Sequence, residues 1–273
     1  MANKHNTIWD NIEIRLSELY QGFALYSKST EHLSDIEIPT CLLMSKPSFD
    51  KDSTFVSPSD DVLDQTDDHI DRETLILALF LLHERSKGVE SFWYPYIQLL
   101  PPTYTTPLFH SENYVETTSV YYLSETMRHS MSEVWNLVSV KDLTLEDFLW
   151  AYTVISSRAF KIAEFGTTLI PLVDLANHVS FAQEANLRTV GINKETNRFV
   201  LKVTEKEIVD GEELCVKYNS ELSNWQLLLY YGFSIENNPF DSIILELKFD
   251  DNEDYELEMK KMLFINLSLL KTT

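Results

Sequence analysis

Eight consecutive apolar residues, Leu75 to Leu82, lie inside a run from Arg72 to Gly88 that reads as one helix. Such a helix has no polar face, so it must be buried on most sides and the rest of the chain must cover it. Polar residues come late, at His83, Glu84 and Arg85, and Gly88 stops the run. On either side the patterning changes. Short strands are expected around Gly22-Phe23-Ala24-Leu25-Tyr26, at Ile36–Pro39 and at Cys41–Ser45, and again at 187–193, 198–205 and 213–218. Residues 46–71, rich in Asp, Ser and Pro, read as a mobile surface loop. Further helices are expected over 112–138 and 145–160, the second opened by a Thr144 cap with Asp147 at the capping-box position. Ser223 to Tyr231 reads as helical and ends at Gly232. Strands, then helices, then strands again describe one β-domain split by a helical insertion, so the expected fold class is α+β.

With 273 residues the chain has room for one large domain and an ample core. Its net charge of −21 argues against binding a polyanion, because phosphate contacts need clustered Lys and Arg. A basic protein or peptide would be attracted instead, or the charge serves only solubility. The longest apolar run falls far short of the roughly 20 residues of a membrane span. The first residues lack the apolar core of a signal peptide, so a soluble protein of the cytoplasm or nucleus is expected. Cys41 and Cys215 cannot build a zinc cluster and, sitting in apolar strand-like runs, read as buried core cysteines. His83, His110 and the acidic run Asp250 to Asp254 have no partners at metal-ligand spacing and read as surface groups, so no metal is expected. Of only six glycines, Gly22, Gly211 and Gly232 fall in the segments that matter next.

Those segments are Pro171-Leu-Val-Asp174-Leu-Ala-Asn177-His178 and Gly211-Glu-Glu-Leu-Cys-Val-Lys-Tyr218-Asn-Ser. A Tyr at a strand end follows the Asn-His pair by 40 residues, and Tyr231-Gly232-Phe233 begins 13 residues later. In this order and spacing the chain resembles SET-domain protein methyltransferases. Within them it resembles the branch typified by plant Rubisco large-subunit lysine methyltransferase, which also holds ribosomal-protein lysine methyltransferases and an actin-histidine methyltransferase. Ser91-Phe-Trp93-Tyr-Pro-Tyr96 with Leu100-Pro101, and Phe148-Leu-Trp150-Ala-Tyr152 with Ser157-Arg158, are similar to the inserted helical region of that branch. Trp93, Trp150 and Trp225 themselves read as core or interface residues.

The resemblance spans roughly 20–249. It implies a SET β-fold with a pseudoknot-like active site over 1–239, with strand-rich halves at about 12–45 and 165–239 around an insertion at about 70–164. Residues 240–273 would be the beginning of a helical substrate-binding domain that looks cut short. It also implies S-adenosylmethionine as cofactor and transfer of a methyl group to Lys of a non-histone protein. Tyr218 would wall the target channel and orient the incoming amine. Gly22, Asn177, His178 and Tyr218 would line the cofactor site. Arg158 and Asp174 would meet the cofactor's carboxylate and ammonium, although they could instead pair with each other as a structural salt bridge. Tyr231 and Phe233 would lie near adenine and sulfonium, where ring faces attract a cation.

The sequence departs from the branch at three places. Tyr20 replaces the first glycine of its Gly-x-Gly, Ala24 stands where a basic residue is frequent, and Asn219 follows the strand-end Tyr where glycine is usual. Two alternatives stay open: a protein-histidine methyltransferase, since the branch holds one, and a catalytically silent SET scaffold that binds a basic partner, to which Tyr20 and Ala24 point.

Overall fold

The structure is a computed structural model that describes residues 7–17, 22–28, 33–66, 70–109, 119–138, 142–179, 184–204, 207–217 and 221–242. Nine strands and seven α-helices lie in these segments. The strands are β1 (Ile12–Leu16), β2 (Phe23–Ser27), β3 (Ile36–Pro39), β4 (Phe160–Ile162), β5 (Gly166–Thr168), β6 (Asn177–His178), β7 (Leu187–Asn193), β8 (Arg198–Val203) and β9 (Glu213–Val216). The helices are α1 (Lys46–Phe49), α2 (Asp60–Leu63), α3 (Arg72–Ser86), α4 (Tyr94–Ile97), α5 (Ser119–Val138), α6 (Leu145–Arg158) and α7 (Asn224–Tyr231). None is long and apolar enough to cross a membrane.

The main sheet runs β1-β2-β9-β7-β8-β3, with β6 attached to β9. Strand β9 is antiparallel to β2 through Leu25↔Leu214 and parallel to β6 and β7, so strands far apart in the chain meet on it. The β7–β8 hairpin carries a bulge between Thr189 and Gly191, where Gly191 takes φ 111°. Alternating side chains of these strands form one core, around Leu25, Ile38, Phe199, Leu201 and Leu214. A second core belongs to the helices.

At its centre is α3, buried along Leu75 and Leu77 to Leu82 as its uninterrupted apolar run requires. Asp71 caps its first turn by accepting from the Thr74 N–H. It packs on α6, whose capping box pairs Thr144 with Asp147 as the sequence predicts. Arg85 fastens the two helices, reaching Asp147 at 3.1 Å and lying 4.3 Å from the Trp150 ring centre. Trp93 and Trp150 are buried, their indole N–H groups donating to the Leu42 and Pro101 carbonyls; Trp225 is half-buried against Ser242.

Several expectations change. Cys41–Ser45 is not a strand: Pro39 ends β3, Thr40–Leu42 forms a 3₁₀ turn, and only Met44 bridges to Leu169. Cys41 is exposed by that turn, while Cys215 is buried on β9 as expected. The segment 46–66 is no loose loop. It holds α1 and α2, and Phe49 and Phe55 pack edge-on against Phe80 at 5.7 and 5.1 Å. The last helix of the insertion stops at Arg158, because Ala159 is extended and starts a small β4–β5 hairpin. Strands expected to reach 205 and 218 end at Val203 and Val216. The first part of the 112–138 helix, and 243–273 with the expected start of a further domain, lie outside the described residues.

Helix α7 shows how tightly the second half closes on the insertion. Ser223 and Gln226 form its capping box, and Gly232 ends it at φ 79°. A Cβ on Gly232 would come within 2.6 Å of Thr105 Oγ1 and 3.2 Å of the Thr105 backbone. Gly232→Ala therefore combines a left-handed backbone with overpacking and is expected to destabilise the fold by roughly 2–4 kcal/mol. Chemical denaturation of the variant beside the wild type measures it.

Candidate active site

The site forms where β6 lies against the end of β9. Before β6 the chain must reverse sharply. Leu172 adopts φ 76°, and the 3₁₀ turn Val173–Leu175 follows. A positive φ in leucine is strained by about 1–3 kcal/mol and persists only where its surroundings hold it. Here the Asp174 N–H bonds back to Ile170 O and the Leu175 N–H to Leu172 O. The turn drives Asp174 into the interior and delivers Asn177 and His178 to β9, in register with Cys215 and Val216.

Arg158, the last residue of α6, meets Asp174 in the interior. Its Nη1 donates to the Asp174 carbonyl at 3.0 Å and lies 3.5 Å from the carboxylate, and its Nε donates to the Tyr104 hydroxyl at 3.2 Å. Tyr96 donates to Asp174 Oδ2 at 2.8 Å. The Asp174 side chain is fully buried and its Oδ1 has no hydrogen-bond partner. Burial pushes the Asp174 carboxyl above its usual pKa, more than Arg158 and Tyr96 pull it down. Burial also opposes the charge on Arg158, yet Tyr104, Asp174 and Tyr96 together hold its pKa above the usual value. The pairing anticipated as the structural alternative is thus present, and it leaves one buried carboxylate oxygen free to accept.

On the other side of β6, His178 and Phe233 stand with ring centres 5.7 Å apart, and Phe233 and Tyr231 6.1 Å apart. Gly232 between the two aromatics lets them turn back toward β6. His178 also borders a small pocket of about 10 Å³ with Lys217, Leu222, Leu227 and Phe240, room for about one water. Gly22 sits at the mouth of the β1–β2 hairpin, its carbonyl accepting from the Ser17 N–H. Continuing the register Leu25↔Leu214 brings Gly22 level with Lys217. Ala24 is fully buried, so the position that is frequently basic in the branch belongs to the core. Tyr218, Tyr20 and Asn219 lie outside the described residues.

His178, Phe233 and Tyr231 therefore stand ring to ring, with Asn177 next to His178 on β6; Arg158 and Asp174 pair in the chain's reversal before β6, and Gly22 lies at the same end of β9. A larger apolar cavity of about 150 Å³, between α4 and the turn at Leu172, is lined by Leu42, Pro95, Leu99 and Leu175. It offers no charged lining among the described residues and does not suit an amino-acid zwitterion. Residue-level reading missed Tyr96 and Tyr104, and also Glu213 and Asn186. Asn177 Nδ2 donates to Glu213 Oε1 at 2.6 Å, and Asn186 Oδ1 accepts from the Cys215 N–H at 2.6 Å. These partners have no local spacing signal.

Elsewhere, on α3 and the segment before it, Asp52, His83 and Glu84 place ligand atoms within 4.8 Å of one another, so His83 does have partners at metal-ligand spacing. The Lys87 ammonium lies 2.5 Å from both carboxylates and already supplies the cation. His110 and 250–254 lie outside the described residues.

No family model matches the chain. Ribosomal lysine N-methyltransferase set10 of Schizosaccharomyces pombe is 30% identical over 188 residues, covering 63% of this chain and 34% of that protein. The actin-histidine N-methyltransferase of Homo sapiens is 31% identical over 200 residues, covering 63% and 32%. The chain thus spans about a third of the length of the curated relatives it matches. Among solved structures, Rubisco LSMT bound to AdoMet superposes with TM-score 0.71 at 20% identity, covering 93% of this chain and 59% of that one. The SET domain of LSMT bound to lysine and AdoHcy gives TM-score 0.72 at 17% identity, covering 93% and 60%. The fold is that of a SET domain. The resemblance to the Rubisco methyltransferase-like branch, read from the motifs, is borne out by both the sequence relatives and the structural neighbours.

Burial, and then the neighbouring Lys217 ammonium, lower the His178 pKa from the usual 6.5 to about 4. The unfolded chain therefore binds more protons than the folded one between these values. The stability this residue contributes is complete above pH 6.5 and is lost as pH falls toward 4. NMR titration of the His178 ring is expected to give a midpoint near 4, and Lys217→Met should raise it without restoring 6.5, since burial is the larger cause.

Proposed function

We propose that this protein is an S-adenosylmethionine-dependent protein methyltransferase acting on a lysine side chain of a non-histone protein. The observation that carries the reading is the seating of Asn177-His178 on β9 immediately before Tyr218, with Phe233 and Tyr231 closing on His178. The donor set suits the cofactor: Arg158 for a carboxylate, the unpartnered Oδ1 of Asp174 for an ammonium, and aromatic faces for a cation. When bound, S-adenosylmethionine supplies a sulfonium methyl for in-line displacement.

The chain's own residues align the reactants and exclude water, and positioning is the main contribution to rate in such a transfer. A lysine must arrive neutral although its free pKa is near ~10.4, and burial beside a cation lowers that value. Its proton leaves to solvent. A neutral His178 adds no positive charge to the site at physiological pH. Tyr218 orients the amine. The net charge of −21 supports a basic protein or peptide substrate.

Histidine as the target is the second reading, supported by the actin-histidine relative. Mass spectrometry of the modified residue separates the two. A scaffold without activity is supported by Tyr20, and would give a stable partner that gains no methyl group.

Calorimetric titration with S-adenosylmethionine is expected to show micromolar binding, about −8 kcal/mol. A folded protein that shows no heat of binding would leave the scaffold reading standing. Tyr218→Phe is expected to lower methyl transfer by at least about 100-fold at unchanged stability. Undiminished transfer would remove Tyr218 from the mechanism.

A further inference from the structure

Strand β6 is only two residues long and has little backbone pairing of its own, yet it carries both Asn177 and His178. Its side of the interface is held by a side chain. Asn177 Nδ2 donates to Glu213 Oε1 at 2.6 Å. A carboxylate only accepts, so this bond fixes which way the Asn177 amide faces: nitrogen toward Glu213, oxygen away from it. Glu213 is itself held. Its other oxygen accepts from the Tyr26 hydroxyl at 3.4 Å, directly across the β2–β9 register. The Tyr26 ring lies under the Arg15 guanidinium at 4.1 Å, and Arg15 binds Glu13 at 2.7 Å. A line of contacts thus runs from β1 through β2 and β9 to the amide on β6.

We propose that Glu213 is a positioning residue for the cofactor site, acting through Asn177, an inference that rests on the function proposed above. The carboxylate sets the orientation of the Asn177 amide and keeps β6 seated on β9. Strand β9 does not depend on this bond for its own place. Buried Asn186 clamps its backbone from the other side, accepting from the Cys215 N–H at 2.6 Å and donating to the Glu213 carbonyl at 2.9 Å. Loss of the Glu213 side chain should therefore loosen β6 and leave β9 intact.

The test compares wild type, Glu213→Ala, Glu213→Gln, Asn177→Ala and the Glu213→Ala/Asn177→Ala double variant. Hydrogen exchange of the amides of 177–179 is measured without cofactor, and S-adenosylmethionine affinity by calorimetry. Glu213→Ala is expected to exchange faster at 177–179 and to bind about tenfold more weakly, while Glu213→Gln, which still accepts from Asn177, stays within about threefold of wild type. In the Asn177→Ala background the Glu213→Ala change should have no further effect, whereas a merely structural role would give additive losses. Should Glu213→Ala not fold, Glu213→Met preserves the packing and removes the acceptor in its place. Wild-type exchange and affinity in the acceptor-free variant, or additivity in the cycle, would overturn the inference. If wild type itself binds no S-adenosylmethionine, the functional reading fails, and the exchange measurement decides the role of Glu213 alone.

Discussion

Strand β9 must be gripped from both edges at once. Val216 is paired with His178 on one side and Leu187 on the other, while Leu214 faces Leu25 of the first hairpin. Those partners come from widely separated segments, so the sheet is complete only where the four residues of β9, Glu213–Val216, sit. The polar side chains around β9 follow the same logic. Asn186 satisfies backbone groups that a longer partner strand would otherwise take, and Glu213 ties down the two-residue β6. Much of what is proposed for function is arranged around this strand: Asn177 and His178 beside it, Tyr218 two residues past its end in sequence, and Tyr231 and Phe233 at the end of the helix that follows.

The helical insertion makes that geometry rigid from outside. Helix α3 is buried nearly all round, which obliges α6, α4 and the 46–66 segment to wrap it. Because α6 ends at Arg158, the same packing that covers α3 aims a guanidinium at the Asp174 carbonyl. Tyr96 of α4 reaches the Asp174 carboxylate from the same helical side. The Arg158–Asp174–Tyr96 cluster is therefore a joint between the insertion and the strand half, and its one unpartnered oxygen is the part with chemistry left to offer.

What was legible in the sequence was what local patterning encodes. The apolar run of α3, the Thr144–Asp147 box, and Gly232 as the end of α7 are written within a few residues of where they act. The site motifs were legible through the spacing of Asn177, His178, Tyr218 and Tyr231. Contacts between distant segments were not. Nothing near Asp52 signals that Lys87 will neutralise it, which is why 46–66 read as a loose loop and not as a pinned segment. Glu213 looks like any solvated glutamate after Asp210-Gly211 until β6 arrives, and Cys41 looked apolar enough to bury until Pro39 ended its strand.

The reach of β9 also bears on how the protein is made. Tyr26 and Glu213 are 187 residues apart. At about 5–20 residues per second, a ribosome needs roughly 10–40 seconds to supply the strand that covers the edge of β2. For that interval the β1–β2 hairpin, with Leu16 and Phe23 outward, waits beside a nascent chain with an open hydrogen-bonding edge. The short length of β2 and the charged Glu13 and Arg15 on its neighbour limit what can pair there prematurely. The half of the molecule that carries the candidate site is thus completed last, because β9 leaves the ribosome only after every residue of the insertion.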